Sequence, residues 1–223
     1  MKKIIWILLI VVAFFSSPFC EEVVLGEDPE TVDDTYIHKG EKYQNFGLEE
    51  SLLCVWHRYN EAYWKISLVK FIELDDYIGD DVEVESATLR LRSYYEGGQG
   101  DYFYIDPLLW PFDEFETTWD NYCGEQDEPD YYEGYTIKAW KFGGWEDYEY
   151  HIDVTDIVGA WVRETIEHNG FCVRTYGGSL SNSVHFRSAD YSGPAEHRPA
   201  LIINFVHTQL CETSLGAIKC IYK

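Results

Sequence analysis

Alternation of apolar and polar residues predicts that most of the chain is β-strand. The clearest alternation runs over residues 84–93, where Leu89 and Leu91 point to one face and Arg90 and Arg92 to the other. In so acidic a chain, the outward arginines are expected to pair with neighbouring carboxylates or to form a polar binding face. Further strands are predicted over residues 36–38, 52–56, 63–74, 102–109, 171–176, 184–188 and 201–207.

One segment, residues 153–168, shows the helical period instead. Asp153 or Thr155 can cap its start, and Asn169 and Gly170 follow its end. Its apolar stripe consists of Val154, Ile157, Val158, Trp161, Val162 and Ile166. Many short strands with a single helix are typical of an antiparallel sandwich and not of βαβ units. We therefore predict an all-β sandwich with one short helix.

The start of the chain predicts export. Lys2 and Lys3 precede an uncharged apolar run over residues 4–15, which is typical of a secretory signal. A membrane span needs roughly 20 apolar residues, so no stable span is expected in the mature chain. Cys20 is a candidate for acylation in a lipoprotein, but Phe19 before it argues against this. We predict a signal peptide over residues 1–20 and a secreted, extracellular protein.

The remaining chain predicts one domain with two flanking segments. Residues 21–32 form an acidic leader, interpreted as a linker or a leading edge of the domain. Residues 33–207 are long enough for one all-β domain with a sizeable core. Residues 208–223 are a C-terminal tail, either a processing or attachment signal or an extra edge strand.

The charge of the chain limits its partners. With 40 acidic residues against 17 lysines and arginines, the net charge is −23, and removal of a signal containing Lys2 and Lys3 makes it more negative. Such a surface repels nucleic acid and anionic lipid. It also offers carboxylates to Ca²⁺, a possible cofactor, for which Asp33, Asp34 and Asp190 are weak candidate ligands. The spacing of an EF-hand is absent, so a solvated acidic surface is the alternative.

Cysteines add few constraints. Cys54 and Cys172 lie in strand-like apolar runs and are predicted to be buried thiols. Cys211 and Cys220 flank the short tail and are a candidate disulfide. The sequence contains no Cys-x-x-Cys motif and no cysteine–histidine cluster, so it does not predict a zinc site.

Eight short motifs follow one another in a recognisable order. They are YQNFG (43–47), SLVKF (67–71), VESATLRL (84–91), TTWDN (117–121), DVTDIV (153–158) with Trp161, NGF (169–171), FRSAD (186–190) and RPAL (198–201). This series resembles that of a DNRLRE domain, the group also described as carbohydrate-binding module family 96. The resemblance implies an extracellular, jelly-roll-like antiparallel β-sandwich without catalytic activity, and some members bind acidic polysaccharides such as alginate.

The charge of the chain fits such an acidic ligand poorly. Binding a uronate polymer would need a local basic patch, with Arg174 and Arg187 as further candidates, or bridging Ca²⁺. A neutral glycan that stacks on aromatic rings fits the composition better. Trp119 and Trp161 are predicted to lie in the core. The candidate ligand-binding residues are Tyr94, Tyr95, Tyr131, Tyr132 and Trp145 near predicted turns, with Arg90 and Arg92 on the adjoining strand.

No catalytic motif was found in the sequence. Gly-x-Ser-x-Gly, His-Glu-x-x-His and phosphate-loop patterns are absent, and with 40 acidic residues a pair of carboxylates carries no information. We therefore predict no enzyme activity. The predicted function is that of a secreted carbohydrate-binding module for an extracellular or cell-wall polysaccharide. The alternative is a structural or adhesive β-sandwich that contacts an extracellular protein.

Overall fold

The structure, a computed structural model, describes residues 20–79, 82–142, 147–177 and 180–207. The strands are β1 (Cys20–Leu25), β2 (Val32–His38), β3 (Ser51–His57), β4 (Lys65–Phe71), β5 (Val82–Gly98), β6 (Tyr102–Pro107), β7 (Ile137–Trp140), β8 (Tyr148–Asp153), β9 (Phe171–Thr175), β10 (Ser181–Arg187) and β11 (Ala200–His207). The α-helices are α1 (Trp119–Tyr122) and α2 (Thr155–Val162). Short 3₁₀ helices cover Pro29–Thr31, Lys39–Glu41, Glu61–Tyr63, Ile72–Tyr77 and Ala195–His197. The predicted all-β class is confirmed.

The strands form one antiparallel sheet that curls on itself. Its order is β1-β11-β5-β10-β3-β4-β9-β6-β7, with β2 beside β4 and β8 beside β5. The long strand β5 connects the parts, because it pairs with β11 along its first half, with β8 in its middle and with β10 at its end. The curl encloses the apolar faces of the strands, as in a sandwich or jelly roll.

Strand β5 confirms the predicted alternation and adds a bulge. Leu89 and Leu91 are fully buried. Beyond them the pairing with β10 shifts, so that Ser93 and Tyr95 have neighbouring partners on β10 and Tyr94 is the extra residue. Both tyrosine rings therefore lie beside the ring of His185.

Two apolar clusters fill the molecule. The main core lies inside the curled sheet and includes Trp161, while a second cluster lies on the other face of β2, β4 and β9. The second cluster consists of Ile37, Ile66, Leu68, Leu108, Trp119, Cys123 and Cys172. Trp119, Trp161, Cys54 and Cys172 are all buried, as predicted. The connection between β6 and β7 supplies Leu108, Trp119 and Cys123, so this connection is held against the sheet.

The connection contains α1, a single turn that was not predicted. The Thr118 hydroxyl accepts from the Asn121 N–H at 3.4 Å, and the Asn121 side-chain oxygen accepts from the Thr118 N–H at 2.8 Å. This reciprocal pair is a capping box. Four residues are too few to show a helical period, so hydrophobic spacing could not reveal the turn.

Helix α2 ends earlier than predicted. The periodic pattern indicated a helix to about His168, whereas the structure ends it at Val162. Glu164 has a φ of 54°, in the left-handed region, and the Thr165 N–H donates to the Ala160 carbonyl at 2.9 Å. Ile166 still packs against the main core, so the apolar spacing continues although the helix does not.

Three further strands were not predicted, namely β1, β7 and β8. Strands β1 and β7 are largely exposed, whereas β8 buries Tyr150 and Ile152 in the main core between exposed polar residues. Strand β1 begins one residue before the acidic leader and pairs along its length with β11.

Some predictions fall outside the described residues. These are the signal peptide except Cys20, Trp145, and the tail with Cys211 and Cys220. Among the residues that the structure describes, no helix is long and apolar enough to cross a membrane.

Gly170 should be intolerant of alanine. Its φ is +93°, and an added Cβ would lie 2.7 Å from the Val69 carbonyl oxygen. We expect Gly170→Ala to lower the free energy of unfolding by at least about 2 kcal/mol in urea denaturation. Gly134 is a matched control, since its φ is +94° but nothing lies within 4 Å of the added Cβ. Equal losses in the two variants would contradict the steric argument.

Candidate functional site

A cleft opens where the end of β3 and the start of β4 meet the end of β9. Its volume is about 250 Å³. The lining combines three aromatic side chains, two carboxylates and one arginine with the buried Ile66 and the half-buried Val55. The lining residues are Val55, Trp56, Trp64, Ile66, Asp127, Glu128, Arg174, Thr175 and Tyr176.

Aromatic rings form one wall of the cleft. The rings of Trp56 and Tyr176 lie 5.3 Å apart between centroids, and Tyr176 is 58% exposed. Trp64 follows a 3₁₀ helix, and its indole N–H donates to the His57 carbonyl at 2.8 Å. This hydrogen bond fixes the orientation of the Trp64 ring. The wall therefore offers an accessible phenol ring beside two indoles, of which the backbone holds that of Trp64 in place.

Arg174 dominates the polar wall. Its Nε donates to Asp106 Oδ2 at 2.8 Å, and its Nη1 lies 3.1 Å from Glu128 Oε2. The guanidinium also lies over the rings of Tyr104 and Tyr131, at 5.2 and 4.7 Å from their centroids. Burial alone would lower the pKa of Arg174, but Asp106 raises it above its ordinary value. Arg174 is thus a permanently charged and firmly positioned donor.

Lys39 balances the second carboxylate. Its ammonium lies 2.6 Å from Asp127 Oδ1 and 2.6 Å from Glu61 Oε2, and 4.7 Å from the centroid of a Trp64 ring. Burial tends to lower the pKa of Lys39, but the hydrogen bonds with Asp127 and Glu61 raise it overall. Both carboxylates in the cleft therefore have a cationic partner, although Lys39 and Arg174 also pair with Glu61 and Asp106.

The two predicted tyrosines of the acidic stretch lie in different places. Tyr131 stacks on Arg174 beside the cleft, and burial raises its pKa. Tyr132 lines a different cavity with Trp161 and His168. Its hydroxyl accepts from the Glu167 N–H at 3.5 Å. The structure therefore brings Tyr131, but not Tyr132, to the cleft.

Tyr94 and Tyr95 belong to a second region, on β5 and β10. The Tyr94 hydroxyl donates to Ser51 Oγ at 3.0 Å, and the Tyr95 ring lies 4.7 Å from that of His185. The Arg187 guanidinium is sandwiched between Tyr94 and Tyr191, at 4.3 Å from each centroid. None of these side chains lines the cleft.

Arg90 and Arg92 also lie away from the cleft, on the middle of β5. Arg92 Nη1 lies 3.6 Å from Glu149 Oε2, so the predicted pairing with a neighbouring carboxylate is confirmed for Arg92. Arg90 lies opposite His151 on β8. The basic candidates are therefore divided between two parts of the molecule, since Arg174 alone lines the cleft.

The three calcium candidates lie in a group of carboxylates. Asp34 is 1% exposed, and its Oδ2 accepts from the Ala189 N–H at 2.6 Å, while its own N–H donates to Glu114 Oε1 at 3.3 Å. Burial raises the pKa of Asp33, Asp34 and Asp190. Within the described ranges, no three histidine, cysteine or acidic side chains are grouped so as to hold a metal ion. Calcium binding stays a prediction, although Asp34 is clearly not a solvated surface residue.

The aromatic residues that line the cleft were not predicted from the sequence. Trp56 and Trp64 sit at a strand end and after a short 3₁₀ helix, where they look like ordinary core residues. Tyr176 follows β9 directly and precedes Gly177. An aromatic residue between a strand and a glycine is the one signal that could have identified it.

No protein-family model matches the chain, and no curated protein sequence matches it. The resemblance to DNRLRE domains therefore stays a prediction from the eight motifs. The chemistry of the cleft is inferred from its own geometry and charges.

Proposed function

We propose that this chain is a secreted, non-catalytic carbohydrate-binding module that recognises an extracellular or cell-wall polysaccharide. The observation that carries the proposal is the cleft, in which the aromatic wall of Trp56, Trp64 and Tyr176 meets Arg174 and two carboxylates. A sugar ring has an apolar face that stacks on aromatic rings and hydroxyls that bond to charged groups. The predicted signal and family resemblance support the same function.

A neutral glycan fits the charges better than a uronate polymer. The cations of the cleft are already paired, Arg174 with Glu128 and Lys39 with Asp127. A polyanion would approach a chain of net charge −23, and screening over about 8 Å at physiological salt weakens this repulsion without reversing it. Hydroxyl groups need no free charge, since ion-paired carboxylates retain lone pairs that accept hydrogen bonds.

The same ion pairs support binding without catalysis. Hydrolysis of a glycoside requires one carboxyl group to be protonated and a second to act on the sugar. Asp127 and Glu128 are each held by a cation, Lys39 and Arg174 respectively, which positions their oxygens to accept hydrogen bonds from sugar hydroxyls.

Affinity gel electrophoresis tests the proposal. Hydroxyethyl cellulose, xylan, galactomannan and laminarin serve as neutral probes, and alginate as an acidic one, each with and without Ca²⁺. We expect the wild type to be retarded by at least one neutral polymer. Removing the exposed ring in Tyr176→Ala should weaken that binding about ten-fold, since one stacked ring contributes about 1.4 kcal/mol.

Tyr59→Ala is the matched control, because Tyr59 is another well-exposed tyrosine and does not line the cleft. It should bind as the wild type does. A wild type that no polysaccharide retards, with or without Ca²⁺, would overturn the proposal. Co-purification of an extracellular protein in that case would favour the structural or adhesive alternative.

A further inference from the structure

Aromatic residues continue from the cleft across the neighbouring strands. In the pairing of β6 with β9, Phe103 lies opposite Thr175, so Tyr102 and Tyr176 are the next residues at the same level. Tyr102 in turn lies opposite Trp140 in the pairing of β6 with β7. Register therefore places these rings in one row that leads from the cleft to the last strand of this side of the sheet.

Ring contacts are present at both ends of the row. Trp56 and Tyr176 have centroids 5.3 Å apart at the cleft, and Tyr102 and Trp140 have centroids 4.2 Å apart on β6 and β7. Because neighbouring strands lie about 4.8 Å apart, the row extends over several ring widths. Phe103 is fully buried in the main core, so its neighbour Tyr102 points to the opposite, outer face.

A buried amide fixes the middle of the row. Asn182, which is fully buried, donates from Nδ2 to the carbonyl oxygens of Tyr102 at 2.7 Å and Tyr176 at 3.2 Å. Its Oδ1 accepts from Lys141 Nζ at 2.6 Å, and Lys141 directly follows Trp140. Asn182 thus ties the backbone at Tyr102 to that at Tyr176, and it also holds the side chain of the residue that follows Trp140.

Trp140 is unusually placed for a residue with only a structural role. It is 62% exposed and ends β7, which among the described strands pairs with β6 alone. A large exposed apolar ring on an edge strand is a liability for aggregation, and such edges usually carry charges instead. Its position in line with the cleft points to a ligand that reaches this edge.

We infer that the row extends the cleft into one platform for a linear polysaccharide, which lies as an extended chain from the end of β3 and the start of β4 across β9, β6 and β7. The inference rests on the proposed function and adds that internal sugars of a polymer are bound, not a terminal sugar alone. The far end, at Trp140, contacts only ligands long enough to reach it. Affinity must therefore increase with chain length, and Trp140 must supply part of that increase.

Calorimetry tests the extended platform, with the disaccharide and the hexasaccharide of the neutral polymer that retards the wild type as ligands. We expect Trp140→Ala to weaken hexasaccharide binding about ten-fold and to leave disaccharide binding unchanged. Tyr176→Ala should weaken both. Trp140→Phe, which keeps an aromatic ring, should recover much of the hexasaccharide affinity. Trp110→Ala, which removes another exposed indole away from the row, should bind both ligands as the wild type does.

The outcomes separate the two proposals. The extended platform would be overturned if Trp140→Ala bound the hexasaccharide as tightly as the wild type, or if the affinity of the wild type did not depend on chain length. Either result would leave the proposed function standing. A wild type that binds no polysaccharide would overturn both. Thermal unfolding of each variant shows whether its fold is intact, and an exposed edge residue should change the midpoint little.

Discussion

Replacing Arg174 with methionine should lower the free energy of unfolding by about 3–5 kcal/mol, because a fully buried carboxylate loses its cation. Asp106 is 0% exposed, and Arg174 Nε donates to it at 2.8 Å. Among the described residues, the Asp106 side chain has one other hydrogen-bond donor, the Thr136 hydroxyl. Methionine keeps the apolar packing against Tyr104 and Tyr131 but provides neither charge nor donor. Urea denaturation measures the loss.

A second substitution identifies the cause of that loss. Asp106→Asn in the Arg174→Met background removes the uncompensated charge, so part of the stability should return. Arg58→Met is the control, because Arg58 is exposed and it should change stability by less than about 0.5 kcal/mol. A loss below about 1 kcal/mol in Arg174→Met, or no recovery in the double variant, would contradict this account.

Asp34 should make the fold less stable as the pH rises. Burial raises the pKa of Asp34 well above its ordinary value, and the neighbouring Glu114, Asp190 and Asp33 raise it further. The folded state therefore retains a proton that the unfolded state releases above a pH of about 3.9. The resulting stability is fully present below that pH and is lost as the pH rises towards the folded pKa.

Asparagine at this position cannot titrate, and its side-chain oxygen can still accept from the Ala189 N–H. The stability of Asp34→Asn relative to the wild type should therefore grow with pH, by up to about 1.4 kcal/mol per unit. Chemical denaturation between pH 4 and neutrality measures the difference. The buried His168 and His185, whose pKa values are lowered to about 4, have the opposite trend. They are common to both proteins and cancel.

The pKa of Glu114 is a second, independent measure of whether Asp34 is protonated in the folded protein. Burial raises this pKa to about 7, and coulombic repulsion from neighbouring carboxylates adds to this. Removing the carboxyl group of Asp34 should not raise the pKa of Glu114, which NMR titration can follow. Glu116→Gln, which removes an exposed carboxylate on the same segment, is the control for the loss of one carboxyl group. A flat difference curve for Asp34→Asn would mean that Asp34 is ionised in the folded protein.

The pattern of apolar residues predicted burial correctly wherever the spacing of a strand or a helix continued over several residues. The inward set of β5, the burial of Trp119 and Trp161 and the buried thiols of Cys54 and Cys172 all agree with the structure. The pattern was misleading for α2, because Ile166 keeps helical spacing after the backbone has turned at Glu164. A side chain can reach the core from an irregular segment, so burial alone does not prove a helix.

The sequence by itself determined the all-β class and much of the core, since the preference of a residue for burial and the period of a strand are both local properties. Only the tertiary structure decided which aromatic residues share a surface. Tyr176, Tyr102 and Trp140 come together through the register of β9, β6 and β7, and the Trp56 ring on β3 contacts Tyr176. Register depends on how all the strands bury their apolar faces at once, and no short segment contains that information.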